Sequence, residues 1–361
     1  MAAAEHEEFA GGFDPAAVKR SAIRVLALLG VLLLIGLLTP GLGELRHRIG
    51  DAEPGWLVLA VLLEAASALS YVAMLKPIFL RDQSWWVAQR LGWSELAMGS
   101  IMPTSGVAGL ALGAWIFNRV GANSRVIARR SIAFYTIKGS INFVAVAVVG
   151  IVMFCGVGPH FTPWLTIFPA ICAIALIIAV SQIRRLGPGK KPPEDARRAR
   201  QVLYSGRGEL IKAVAETGAI LKRGEPAVYL GTIGYWFWDN LVIWATFAAF
   251  GEHPAITVIL MAYLIGQLGG LIPVPGGIGG VDGGLVGAYV VYGVAAGPAF
   301  IAVLTYRVIL FWLPLLVGAV AFLSIQKRVK KIEEERAELE ESSPTAEAAS
   351  PVDAPLSHPP A

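Results

Sequence analysis

The sequence predicts an all-α polytopic membrane protein built from two inverted repeats, and three observations favour this fold class. The chain has 361 residues, of which 55% are hydrophobic and 16% are charged, whereas soluble domains carry about 25% charged residues. Apolar segments of about 20 residues, long enough to cross a bilayer, recur along the chain with basic residues at alternate ends. Two further apolar segments are interrupted by proline and glycine at matching places.

The candidate spans account for most of the chain. They are 22–40, 55–75, 131–155, 163–183, 227–250 and 298–325. The two interrupted segments are 91–118 and 255–297, which brings the prediction to six to eight transmembrane helices. One long polar insertion, 184–226, has amphipathic helical spacing over 197–223. We expect this helix along the membrane surface or against the cytosolic face.

Composition also divides the chain into domains. We predict a cytosolic tail over 1–20, a membrane domain over 21–325, and a charged helix with a disordered tail over 326–361. The first fifteen residues hold four acidic residues and no basic one, so they lack the basic region of a cleaved signal peptide. We therefore expect the first span to remain as a membrane anchor.

The orientation of the spans follows from the positions of lysine and arginine. Basic residues precede the first span, follow the second span, fill the insertion and follow the last span. The connections 41–54, 156–162 and 251–254 together hold two basic residues and four acidic ones. Because positively charged connections stay in the cytosol, we predict that both termini are cytosolic.

This orientation requires each interrupted segment to be a hairpin. Segment 91–118 must begin and end in the cytosol, and segment 255–297 must begin and end outside. The first has arms of about a dozen residues, which at about 1.5 Å per residue are too short to span and predict a re-entrant hairpin. The longer arms of the second leave a re-entrant and a fully spanning arrangement open.

The two halves, 21–155 and 163–325, then share one order of parts in opposite orientations. Each has three spans and one broken hairpin, and a shift of 172 residues places Pro103 on Pro275. Inverted repeats with paired broken helices are a recurring transporter architecture, in which the substrate site lies between the repeats near the membrane midplane. The sequence therefore predicts a site where the halves meet.

The interruptions themselves are candidate binding elements. The second has two prolines and six glycines within 272–284, and no ordinary helix continues through such a stretch. Unwound chain persists at membrane depth only where protein or a watery cavity surrounds it. Its N–H groups, with a helix starting near Gly283, would attract phosphate. The candidate residues are Pro103, Gly106 and Gly109 in the first interruption and Pro273, Pro275, Gly276, Gly277, Gly279 and Gly280 in the second.

Five charged residues are predicted at membrane depth, where each costs at least about 2.5–3.5 kcal/mol and faces a bundle interior or a cavity. They are Glu64, Lys138, Asp239, Asp282 and Arg307. The two bases lie near the start of the last span of each half, and we expect them to receive an anionic headgroup. An acid would receive an amine or a proton. Buried ion pairs that only fix helix packing are the alternative.

Neutral polar residues add to this expected cavity. Asn240, Gln267, Tyr306 and Tyr135 are placed to line it or to join helices by hydrogen bonds. No histidine or cysteine spacing suggests a metal site, and no nucleotide or hydrolase motif is present. Because the basic residues flank apolar spans, they report topology and not nucleic-acid binding. We expect no catalytic residue, no metal, no cofactor and no nucleic-acid partner.

Two motifs resemble those of a known family. Residues 273–282, Pro-Val-Pro-Gly-Gly-Ile-Gly-Gly-Val-Asp, resemble the P-x-P-G-G-x-G-x-x-E/D signature of the lysylphosphatidylglycerol synthase transmembrane region, also described as a flippase-like domain. Residues 102–109 resemble the earlier Pro-x-x-Gly-x-x-Gly element of that family. The resemblance covers roughly 20–325. Asp282 stands where the family more often has glutamate, which keeps the acid and shortens the side chain.

The resemblance implies a membrane region that moves an aminoacylated phospholipid between leaflets. In bifunctional members a separate soluble domain makes that lipid, and this chain, which ends soon after its last span, is not expected to synthesise it. Stand-alone relatives are associated with glycolipids or hopanoids, so the resemblance does not fix the cargo.

These inferences lead to one hypothesis and two alternatives. The hypothesis is a flippase or transporter of the bacterial cytoplasmic membrane, not an enzyme, whose cargo is an anionic or aminoacylated phospholipid or a glycolipid. A lipid-modifying enzyme or glycosyltransferase is a further expected partner. The first alternative is a membrane enzyme acting on a lipid-linked substrate with Asp282 as its acid. The second is a scaffold of a glycosyltransferase complex that docks through 184–226.

Overall fold

The chain is helical throughout the part that the structure describes. The computed structural model describes residues 52–101, 124–183, 198–271 and 280–342, with Ile23, Gly50 and Gly113 as isolated positions. Within these ranges there is no β-strand, so the all-α prediction is confirmed for them. The predicted first span, 22–40, and most of both interruptions lie outside the described residues.

Each predicted span within the described ranges coincides with a helix. The α-helices in chain order are α1 (Pro54–Phe79), α2 (Trp85–Ile101), α3 (Ser124–Phe154), α4 (Ile167–Gln182), α5 (Arg198–Lys222), α6 (Pro226–Ala249), α7 (Ile256–Gly266), α8 (Gly280–Val291) and α9 (Ala296–Ser342). A 3₁₀ turn, Pro163–Leu165, precedes α4, and another, Gln267–Leu271, follows α7.

Four of the described helices are long and apolar enough to cross a membrane. They are Pro54–Phe79, Val126–Phe154, Pro163–Gln182 and Ala296–Gln326. Their outward faces are apolar: on α4, for example, Phe168, Ile171 and Ile178 are about half exposed. Contiguous exposed apolar surface of this kind suits contact with lipid. The chain is therefore a multi-pass membrane protein.

Helices α1 and α6 form an antiparallel pair at the centre of the molecule. At one end the Glu53 N–H donates to the carbonyl of Ala249 at 2.9 Å, which joins the start of α1 to the end of α6. At the other end Arg81 forms a 3.1 Å ion pair with Glu225, which joins the end of α1 to the start of α6. The two helices thus lie side by side along their whole length.

The other helices pack around this pair in a repeated pattern. Helix α1 contacts α2, and α6 contacts α7. Helix α2 lies against α9, as α7 lies against α3. Helix α1 also contacts both α3 and α9, and so does α6. These contacts of α1, α2 and α3 therefore resemble those of α6, α7 and α9.

The second interrupted segment forms two short helices that pack tightly on each other. Helix α7 has 11 residues and α8 has 12, and the intervening residues 272–279 lie outside the described residues. Their close approach depends on glycine. A Cβ at Gly284 would meet the Gly266 carbonyl oxygen at 2.5 Å and the Gly269 Cα at 3.2 Å, so no larger residue fits there without movement of backbone.

Gly284→Ala is expected to destabilise the protein by about 1–3 kcal/mol, because the added methyl group overpacks the α7–α8 contact. The matched control is Gly283→Ala, where a Cβ meets nothing within 4 Å and the helix gains propensity. Thermal unfolding of the detergent-purified variants measures both. Equal melting temperatures for the two variants would contradict the close packing of α7 on α8.

The polar insertion and the last helix also match their predicted helical character. Helix α5 covers the segment for which amphipathic spacing was predicted, and it packs against α3. Its buried residues Ala213, Thr217 and Ile220 follow the spacing of one helical face. Helix α9 continues without interruption from its apolar part into the charged sequence that ends at Ser342.

Candidate functional site

A polar cavity of about 350 Å³ lies between α3, α6 and α7. It is lined by Tyr135, Lys138, Gly139, Ile141 and Asn142 of α3, Tyr235, Trp236 and Asp239 of α6, Tyr263 of α7, and Gln267. Lys138 and Asp239 lie near the midpoints of their helices. The structure thus brings these two predicted charges to one cavity, together with the predicted polar residues Tyr135 and Gln267.

Asp239 is held in the cavity wall by two tyrosines. Tyr306 donates a hydrogen bond to Oδ1 at 3.0 Å, and Tyr263 donates a hydrogen bond to Oδ2. The two rings meet edge to face with centroids 6.3 Å apart. Because the tyrosines come from α7 and α9, the carboxylate fixes two neighbouring helices to α6. A charged acceptor makes each such bond worth about 1.5–3 kcal/mol.

Lys138 points its ammonium at three tyrosine rings. Its Nζ is 4.5 Å from the ring centroid of Tyr235, 5.2 Å from that of Tyr71 and 5.4 Å from that of Tyr135. The negative faces of aromatic rings attract a cation, by as much as about 2 kcal/mol where water is excluded. The rings come from α1, α3 and α6, so the cation sits where the first and second halves meet.

The structure adds a fourth acid, Glu95, which is absent from the five charged residues predicted at membrane depth. Its carboxylate is buried in α2, accepts a 2.9 Å hydrogen bond from the Tyr71 hydroxyl and interacts electrostatically with Lys138. A Cβ at Gly113 would overlap this carboxylate. The signal in the sequence was an acid inside the apolar segment 91–118, next to its interruption.

Glu64 and Asn240 lie buried beside this group. Glu64 is 6% exposed and Asn240 is 1% exposed. Glu64 interacts electrostatically with Asp239 and Lys138, which places it in the same charge cluster. The Asn240 amide donates to the Trp236 carbonyl at 2.8 Å, within its own helix. The orientation of the Asn240 side chain is therefore fixed within α6.

Asp282 and Arg307 form an ion pair next to the cavity. The Arg307 Nε is 2.9 Å from the Asp282 Oδ1, and both side chains are largely buried. Asp282 lies in the first turn of α8, where an acid is favoured by the helix dipole; that helix begins at Gly280, three residues before the expected start. The charge of Arg307 also acts on Asp239, so this pair belongs to the same electrostatic group.

Most of the predicted glycine and proline positions have no structural description. Pro103, Gly106, Gly109, Pro273, Pro275, Gly276, Gly277 and Gly279 lie outside the described residues. Gly280 is described and begins α8, where it packs against Gly269 of the preceding 3₁₀ turn. The role of backbone N–H groups in these interruptions stays a prediction.

The arrangement suits a ligand that carries both charge and hydroxyl or amide groups. A lysine ammonium serves as a point charge for a phosphate, and the tyrosine, asparagine and glutamine side chains supply neutral donors and acceptors. The volume is at the lower end of the range typical of small-molecule sites. Within the described ranges no group of three or more histidine, cysteine, aspartate or glutamate side chains is arranged to hold a metal.

Comparison with known proteins places this chain among membrane proteins of similar length. It is 25% identical over 326 aligned residues to a UPF0104 membrane protein of Methanothermobacter thermautotrophicus, an alignment that covers 83% of this chain and 92% of that protein. Two further matches to UPF0104 membrane proteins of the same organism are 29% identical but cover only 26% and 27% of this chain.

A family model described as the lysylphosphatidylglycerol synthase TM region matches residues 22–318. This range takes in every described helix that lines the cavity and ends only within α9. The match agrees with the resemblance of the two interrupted motifs. The chain therefore belongs to the lysylphosphatidylglycerol synthase transmembrane region family.

Proposed function

We propose that this protein moves a polar-headgroup lipid between the two leaflets of a cytoplasmic membrane. The headgroup, of an anionic or aminoacylated phospholipid or of a glycolipid, passes through the cavity while the acyl tails remain in the bilayer. The observation that carries the proposal is the polar cavity lined by Lys138 and Asp239 at the midpoints of two helices. Charges at such depth usually serve a substrate or ion pathway.

We further propose that the two halves form an inverted repeat around the α1–α6 pair. These helices are the second predicted spans of their halves, and they are antiparallel, as an inverted repeat requires. At their crossing the Ser67 hydroxyl donates to the Tyr235 carbonyl at 3.1 Å, and such contact between matching positions is expected close to a two-fold axis. The repeated packing of α2, α3, α7 and α9 around this pair supports the same relation.

The cavity residues support this repeat at a separation of 168 residues, the distance in sequence from Ser67 to Tyr235. In the first half Tyr71 is hydrogen-bonded to Glu95, which lies 24 residues later. In the second half Asp239 is hydrogen-bonded to Tyr263, which also lies 24 residues later. The shift brings three polar positions into register: Tyr71 with Asp239, Glu95 with Tyr263, and Lys138 with Tyr306. It differs by about one helical turn from the shift of 172 that aligns the two interruptions.

The short arms of the second interrupted segment support a re-entrant hairpin. The described part of α8 has 12 residues and is about 18 Å long at 1.5 Å per residue, against about 30 Å of hydrocarbon. The arm formed by Ile256–Gly270 is also shorter than a spanning helix. We propose that both hairpins enter from opposite sides and meet the cavity, with both chain termini in the cytosol.

A leaflet-exchange assay in proteoliposomes tests the transport proposal. Vesicles that contain the purified protein and a headgroup-labelled phosphatidylglycerol are exposed to a membrane-impermeant quencher. We expect label in the inner leaflet to become accessible at least ten times faster than in protein-free vesicles. If neither this lipid nor an aminoacylated or polyprenyl-linked lipid moves faster than in protein-free vesicles, the proposal fails. Mass spectrometry of the recovered lipids separates transport, which leaves them unchanged, from the enzyme alternative.

A further inference from the structure

The charges around the cavity do not balance. Three buried carboxylates, those of Glu64, Glu95 and Asp239, surround the single ammonium of Lys138, with which each of them interacts. The nearby Arg307 is already paired with the carboxylate of Asp282. Counted as fully ionised, these described groups have an excess of two negative charges. An uncompensated buried charge is so costly that the group takes up a proton or binds a counterion instead.

The hydrogen bonds single out one of the three carboxylates. Asp239 accepts bonds from two tyrosine hydroxyls, and Glu95 accepts one. Among the described residues, no donor reaches the Glu64 Oε2, although this atom is fully buried. A buried carboxylate oxygen that accepts no hydrogen bond raises the free energy of the ionised form. The protonated carboxylic acid is neutral and carries its own O–H donor, so it is less costly to bury.

Within the part of the chain that the structure describes, few charges near Glu64 could compensate its carboxylate. Helix α1 packs on α2, α3, α6 and α9. Glu64 interacts electrostatically with Asp239 and Tyr235 of α6, Lys138 of α3 and Tyr306 of α9. On α2 the acid Glu95 faces the same lysine. Only one of these groups is a cation, and it is shared among three acids.

We propose that Glu64 is a proton-binding site of the cavity and that proton uptake accompanies entry of an anionic headgroup. The bound proton forms an O–H bond on the Glu64 carboxyl and comes from cavity water, which reaches the cluster at Asp239 because that residue lines the cavity. Only the coupling of proton uptake to headgroup entry rests on the proposed function. The proton site itself belongs to the empty protein.

The coupling to the headgroup follows from the same balance. A phosphate that approaches Lys138 adds one negative charge to a cluster that is already short of positive charge. The favourable way to accommodate it is fuller protonation of Glu64. By thermodynamic linkage, a higher proton concentration then favours headgroup binding to the same degree that headgroup binding favours proton uptake. The chemistry requires an anionic headgroup and not a neutral one.

Infrared spectroscopy of the purified protein tests the proton site without any lipid substrate. We expect the wild-type protein to show the carbonyl-stretch band of a buried carboxylic acid, which shifts in D₂O and is lost on titration to high pH. Glu64→Gln should remove this band, and Glu64→Asp should retain one at a shifted frequency. The matched control Glu225→Gln removes a carboxylate that is paired with Arg81 and should leave the band unchanged.

Two results would overturn the proton site: a wild-type spectrum without this band, or a Glu64→Gln spectrum that keeps it. If Glu64→Gln does not fold, Glu64→Asp decides alone, and an unchanged frequency in that variant counts against the proposal. The coupling has its own readout, a pH-sensitive dye inside proteoliposomes. We expect proton movement with phosphatidylglycerol transfer and its loss in Glu64→Gln, whose amide cannot take up the proton. Transfer without proton movement would overturn the coupling while leaving the transport proposal intact.

Discussion

Replacing Lys138 with methionine is expected to reduce the rate of anionic lipid transfer by about 10- to 100-fold. The substitution keeps the length of the side chain but removes the single cation that lines the described part of the cavity. A hydrogen bond to a charged group is worth about 1.5–3 kcal/mol, and each 1.4 kcal/mol corresponds to a factor of ten. The leaflet-exchange assay with headgroup-labelled phosphatidylglycerol measures the effect.

A matched control is available at the end of α5. Lys222→Met removes the same charge from an exposed residue in the last turn of that helix and should change the transfer rate less than two-fold. Lys138→Arg keeps the positive charge over the three tyrosine rings and should retain part of the activity. Equal rates for wild-type protein and Lys138→Met would show that the headgroup does not depend on this cation.

Breaking the ion pair between α8 and α9 is expected to destabilise the protein by about 2–3 kcal/mol. Arg307→Gln removes this ion pair from the Asp282 carboxylate, which is largely buried, and removing one partner of a buried pair costs more than the intact pair contributes. Because Arg307 also acts on Asp239, transfer activity should fall as well. Thermal unfolding and the leaflet-exchange assay report the two effects separately.

The double variant Asp282→Asn with Arg307→Gln separates the interaction energy of the pair from the effects of the two single substitutions. If the two side chains interact directly, the double variant is more stable than the sum of the two single effects predicts, by about 1–2 kcal/mol. Strictly additive effects would indicate that each residue acts through other neighbours. Glu225→Gln breaks a more exposed ion pair with Arg81 and should cost less than 1 kcal/mol.

The positions of the helices could be predicted because apolar length is a strong signal in a membrane. The predicted spans 55–75 and 227–250 correspond to Pro54–Phe79 and Pro226–Ala249. Both helices begin with proline at the first position, which starts a helix without loss of a hydrogen bond. Charge at membrane depth was an equally direct signal, since it indicated Lys138 and Asp239, which line the same cavity.

The partners of these charges could not be predicted, because they depend on how separate helices pack. The sequence grouped Arg307 with Lys138 as headgroup ligands, yet the structure pairs Arg307 with Asp282 and surrounds Lys138 with tyrosine rings. The role of Glu95 could not be predicted because it depends on a hydrogen bond from the Tyr71 hydroxyl on a neighbouring helix. The rotation of one helix against another decides which side chains meet, and hydrophobic periodicity does not specify it closely enough.

Photo-crosslinking with two lipid probes tests most directly whether the cavity receives a headgroup. One phosphatidylglycerol probe carries a diazirine in its headgroup and the other carries it in an acyl chain, and mass spectrometry maps the labelled residues. We predict that the headgroup probe labels cavity residues such as Asn142, while the acyl probe labels exposed positions on α3 such as Val148. A headgroup probe that labels only the ends of the helices and never the cavity wall would contradict the account.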